Sequence, residues 1–212
     1  MKAVTLSDAR SELVRARVLE GVRGVLERGE PLTFASVAKQ AGVPERTFYR
    51  HFPTREDLLA AIFDWANQKV GFEGERATDA AAHARQVRRA FSGFDTIAPV
   101  IRELLSAPEG RLARVAHNRE RQRAALALVQ REIAGLDRTS ARRIAAVFQL
   151  LTAAATWQAL RDHWDMDGAE AAETSVLAAE LLLEGARART LRARPKKKLR
   201  GRAAAAVAGA RS

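Results

Sequence analysis

The chain has 212 residues, of which 47% are hydrophobic and none is cysteine, and its formal net charge is +11. That apolar content can build a core and excludes wholesale disorder, while the missing thiols exclude disulfides and thiolate metal sites. The charge is unevenly placed: residues 1–60 carry a net +2, residues 61–186 a net −1 and residues 187–212 a net +10. The basic balance therefore belongs to the C-terminal end, and by itself it does not argue that the body of the chain binds nucleic acid. Alanine, leucine, arginine and glutamate abound and β-branched residues are few, which favours an all-α fold.

The opening MKAVTLSDARSELV has no apolar stretch, and no run approaches the ~18 apolar residues of a membrane span. The sequence thus predicts neither a leader nor a membrane partner. Ser7 or Asp8 is placed to cap a first helix over residues 9–28, with Val14, Val18, Val22, Val25 and Leu26 as its apolar stripe. Gly29-Glu30-Pro31 ends it. Thr33 caps a short helix whose inward residues are Phe34, Val37, Ala38 and Ala41. Gly42 stands where that helix must end, at a position that favours positive φ. Pro44 opens a second short helix, near the start, where a missing N–H costs nothing. Phe48 and Phe52 lie one turn apart on it, and its other faces carry Glu45, Arg46, Thr47, Tyr49, Arg50 and His51. Nearly every exposed side chain there can reach a phosphate or a base edge, which is the pattern of a DNA-binding helix-turn-helix. Thr54-Arg55-Glu56-Asp57 has the form of a capping box and opens a helix over residues 54–70.

These residues resemble the DNA-binding domain of the TetR-type (tetracycline-repressor-like) transcriptional regulators. The likeness is carried by Thr33-Phe34-x-x-Val37-Ala38, Ala41-Gly42-Val43, Thr47 through Phe52, and Arg55 through Leu59, and it spans residues 10 to about 68. Two departures stand out. The end of the first helix reads Val25-Leu26-Glu27 in place of the family's Leu-Phe pair, and Arg46 replaces a glycine often found three residues before the tyrosine. By resemblance, Thr33, Tyr49, His51 and Arg55 are phosphate contacts. Glu45, Arg46, Thr47 and Arg50 are candidates for base edges, with backbone contact as the alternative for each.

The resemblance implies three parts: a DNA-binding domain over 1–70 that includes the connector helix 54–70, a helical effector-binding and dimerisation domain over 71–190, and a basic tail over 191–212. Helices are predicted over 78–92, 95–106, 108–134, 139–164 and 168–190, about nine in all. The tail has two open readings, a sequence-blind DNA tether or a solvated end. Phe63, Phe91, Phe94, His117, Phe148 and Trp157 are candidates to line an effector pocket, with core packing as the alternative for the aromatics. Leu151, Ala155, Val176, Leu177 and Leu181 are candidates for a dimer interface. Asp162-His163-x-Asp165-x-Asp167 straddles a helix end and reads better as a capped loop than as a metal site. No Ser/His/Asp order or Gly-rich phosphate loop is present, so no enzyme is predicted, and no cofactor. The expectation is a cytoplasmic, nucleoid-associated homodimer that leaves a double-stranded palindromic operator when a small, largely apolar effector binds. The alternative is a DNA-binding regulator with no small-molecule input, either constitutive or responsive to a protein.

Overall fold

A computed structural model describes residues 6–71, 77–116 and 118–193. The basic tail from residue 194, and His117, lie outside the described residues. The fold is all-α, with eleven helices and no strand among the described residues. The first helix, α1 (Leu6–Glu27), buries Val18, Val22 and Val25 completely, with Val14 and Leu26 packed at the edge of the same core. It lies against α2 (Phe34–Ala41) so closely that a Cβ on Gly21 would stand 3.0 Å from the Ala41 Cβ. Gly42 ends α2 in the left-handed region at φ 61, with its N–H returned to the last carbonyls of the helix. Then follow α3 (Glu45–His51) and α4 (Arg55–Lys69).

The predicted caps at Thr33 and Thr54 form, each as a capping box. The Thr33 hydroxyl accepts the Ser36 N–H at 3.0 Å, and Thr54 and Asp57 cap α4 reciprocally at 3.1 and 3.2 Å. The box at Thr33 uses a serine where the usual pattern has an acid or amide, so only its first half was legible.

Beyond α4 come α5 (Ala80–Thr96), α6 (Ala98–Ser106), α7 (Pro108–Ala116), α8 (Asn118–Glu132), α9 (Arg138–Leu151), α10 (Ala154–Trp164) and α11 (Gly168–Ala193). Within the span 108–134, α7 packs on α4 and α8 packs on α9. One stretch expected as a single helix is two. The span 139–164 is divided at Thr152 and Ala153. Ala153 is extended, and the Thr152 hydroxyl donates back to the Phe148 carbonyl at 3.1 Å. This division is not marked by glycine or proline, so periodicity alone ran through it.

Asp95 ties the C-terminal helices together. Its carboxylate accepts the Trp157 indole N–H at 3.0 Å, the Arg161 guanidinium at 2.7 Å and the Gly168 N–H at 2.6 Å. It thereby joins α5 to α10 and to the start of α11. Gly168 has to be glycine, because a Cβ there would run into the Phe91 carbonyl oxygen. Asp167 accepts the Glu170 N–H at 2.8 Å and caps α11.

The buried residues form two clusters. The larger joins α1–α4 to α5, α6, α10 and the first half of α11. The smaller lies among α8, α9 and the second half of α11.

Candidate DNA-binding face and effector cavity

The short helix α3 cannot stand alone, and its orientation is set from behind. Phe48 and Phe52 are fully buried. Phe34 of α2 packs on Phe48 with ring centroids 5.0 Å apart, and Phe48 on Phe52 at 5.5 Å. The Tyr49 ring is 51% exposed yet not loose, because it meets Phe34 edge-on at 5.3 Å. Its hydroxyl is thereby presented from a braced ring. Glu45, Arg46 and Arg50 are exposed on the same helix and Thr47 is half-buried. Burial, followed by the charges of Arg50 and Arg15, holds the half-buried His51 imidazole below its ordinary pKa, with Glu12 opposing weakly. At neutral pH it is an uncharged donor.

Two of the candidate phosphate contacts carry other bonds. The Thr33 hydroxyl is engaged within the α2 cap, which leaves the first-turn N–H groups of that helix as the outward donors. The Arg55 side chain turns inward. Its Nη1 donates to the Leu32 carbonyl at 2.7 Å and its Nη2 to Glu103 of α6 at 2.8 Å, and Glu109 of α7 lies 3.6 Å from its Nε.

Below this face lies a cavity of about 350 Å3, walled by α4 through α9 and by the 152–155 junction. Phe63, Phe94 and Phe148 line it. Phe91 and Trp157 do not; both are fully buried in the larger core cluster. The polar lining was not anticipated from sequence: Asn67, His83, Gln86, Arg114, Asn118, Arg121, Gln149 and Thr152. The residues come from five helices and the junction, so no local spacing marks them.

His83 is the most strongly perturbed of these groups. It stacks on Phe148 at 4.8 Å, and burial pushes its pKa down to about 4. Its Nε2 lies 3.1 Å from the Thr152 hydroxyl oxygen, whose proton goes to the Phe148 carbonyl. Nε2 must therefore be the donor, and Nδ1 carries the lone pair. Gln149 donates to Asn118 at 3.2 Å across the cavity wall.

The candidate interface residues divide. Leu177 and Leu181 are 56% and 58% exposed and face away from the core, alongside the exposed Val147 and Leu150 of α9. Ala155 is exposed and Leu151 half-buried. Val176 is only 4% exposed and belongs to the protomer's own core.

A helix-turn-helix presented by a three-helix base on an otherwise all-helical body defines the class: a DNA-binding transcriptional regulator. Residues 27–62 match the family model described as bacterial regulatory proteins, tetR family. Over 58 residues it is 31% identical to the nucleoid occlusion factor SlmA of Alteromonas mediterranea, a stretch that covers 26% of this chain and 30% of that relative's length. The fold is similar to the crystal structure of the multidrug binding protein EbrR complexed with imidazole. The TM-score is 0.53 at 18% identity, covering 79% of this chain and 93% of that one. No described helix is long and apolar enough to cross a membrane.

Two measurements follow. Tyr49→Ala is expected to weaken binding to selected and random DNA alike, whereas Arg46→Ala loses about 1–3 kcal/mol at one base pair of the selected site only. Equal losses for Arg46→Ala on both DNAs would contradict that division. For His83, the unfolded chain binds the proton near pH 6.5 and the native protein only near pH 4, so the unfolded state holds more protons between these values. Stability is then lost as pH falls through this window, by at most about 3 kcal/mol from this group. Urea unfolding at pH 7 and pH 4.5 should show a smaller loss for His83→Gln than for the unsubstituted protein. An identical loss would remove His83 as a source of acid sensitivity.

Proposed function

We propose that the protein is a homodimeric regulator that reads a palindromic operator with α3 and is released from it when a small molecule fills the cavity. One observation carries the reading: α4 belongs to both sites. Its first residue, Arg55, holds the Leu32 carbonyl next to the α2 cap, and its Phe63, Ala66 and Asn67 wall the cavity. A ligand that favours a different position of α4 would therefore move the base on which the recognition helix rests. The relative with a similar fold is itself described as a multidrug binding protein. DNA contact is assigned to Glu45, Arg46, Thr47, Tyr49, Arg50 and His51 together with the N-terminus of α2.

Dimerisation is argued from need and from surface. One short helix reads few base pairs, and two held about 34 Å apart, or a multiple of that, read an inverted repeat. Leu177, Leu181, Val147 and Leu150 offer an exposed apolar face on α9 and α11 that a second copy would cover. No reaction is assigned to the chain, and its place of work is the cytoplasm, on the nucleoid.

Selection of bound sequences from random DNA is expected to return an inverted repeat occupied by an even number of chains. A Leu177→Glu, Leu181→Glu double variant should be monomeric and lose about a hundredfold or more in affinity for that repeat. A non-repeated site, or unchanged affinity in the double variant, would overturn the dimeric reading.

A further inference from the structure

The cavity's chemistry narrows its ligand further, on the reading that it is an effector site. Its walls are chiefly apolar: Phe63, Phe94, Ile101, Leu104, Leu128 and Phe148. Two guanidinium groups enter this lining from successive helices, Arg114 from α7 and Arg121 from α8, and among the described residues no carboxylate lines the cavity.

Both arginines bond to backbone carbonyls. Arg114 Nη1 donates to the Leu104 carbonyl, and Arg121 Nη2 donates to the Arg114 carbonyl. The Arg121 guanidinium also lies over the Phe63 ring, 5.8 Å from its centroid. For Arg114 the carbonyl satisfies one N–H but brings no negative charge, and its guanidinium has five N–H donors. Burial pushes the Arg114 pKa below its ordinary value, and the like charge of Arg111 adds to this. A partly desolvated cation beside an apolar cavity gains most from an anion arriving with an apolar body.

The remaining polar lining points the same way. His83 is neutral with its Nε2 proton given to Thr152, and Asn118 and Gln149 bond to each other. None of these supplies a negative charge for a cationic ligand.

We propose that the effector is an amphipathic anion: a carboxylate, or a similar oxyanion, on a lipophilic body, with the anionic head on Arg114 and the body among Phe63, Phe94 and Phe148. The fit is one of size as well as charge, since about 350 Å3 lies at the lower end of ligand pockets and suits a medium-length chain or a small ring system.

Three probes with one body and different heads test this on the full-length protein: decanoate, decanol and decyltrimethylammonium. Calorimetry is expected to rank decanoate first by roughly tenfold or more over decanol, as a charge-assisted hydrogen bond implies, with the cation weakest. Arg114→Gln should remove that advantage and leave decanol binding unchanged. Arg114→Lys, which keeps the charge, should retain most of the advantage and guards against a variant that merely misfolds. Decanol or the cation binding as tightly as decanoate would overturn the anionic assignment and leave a ligand cavity standing. Decanoate that binds but does not release the selected DNA would uphold the anion site and defeat the ligand-responsive reading. Failure of all three probes to bind would defeat both.

Discussion

The DNA-binding end and the cavity of this protein are joined through one side chain, Arg55. Its guanidinium bonds to the Leu32 carbonyl, one residue before the cap of α2, and to Glu103 of α6, and Glu109 of α7 stands close behind. The same two helices carry Leu104, Leu105 and Arg114 into the cavity wall. The ion pairs are partly exposed, and such pairs contribute at most about 1 kcal/mol each in water. Their importance is geometric. They fix where α4 begins relative to the helices that would sense a ligand, and α4 begins where the helix-turn-helix ends.

This placement changes how the DNA face works. An arginine in the first turn of α4 reads naturally as a phosphate clamp, and its sequence neighbours give no reason to doubt it. In the fold it is a strut instead. On the proposed function, affinity for the phosphate backbone would then rest on the N–H groups at the start of α2, the braced Tyr49 hydroxyl, the uncharged His51 and the exposed arginines of α3. The face is also nearly balanced in charge, with Glu45 beside Arg46 and a net of only +2 over residues 1–60. Recognition by placed donors and acceptors, rather than by a large positive field, favours a protein that discriminates between sequences.

Much of the N-terminal half was legible in the sequence because its signals are local. A cap at Thr33, a left-handed glycine at 42, a proline at 44 and two phenylalanines one turn apart fix the helix-turn-helix within some twenty residues. The later helices were legible as helices but not in their number. The break at Thr152-Ala153 arises from which helix each piece packs against, and no residue type announces it. The same holds for the cavity. Phe63, Phe94 and Phe148 could be suspected as aromatics, but so could Phe91 and Trp157, and only three-dimensional packing separates lining from core. His83, Arg114 and Arg121 become a site only once three helices bring them together. Val176 and Leu177 are neighbours in sequence, yet one lies inside the protomer and the other on its surface; helix phase, not hydrophobicity, decides.

The central claim is that filling the cavity moves the recognition helices. The sequence contains no cysteine, so a single Arg50→Cys substitution gives a unique attachment point on the exposed face of α3. The distance between paired spin labels there, measured in the dimer by double electron–electron resonance with and without decanoate, tests the claim most directly. We expect a narrow distribution in the DNA-competent state, consistent with half-sites about one helical turn, or a multiple of it, apart, and a clear shift of its centre when the cavity is filled. A distribution that stays unchanged while decanoate is bound would contradict the account.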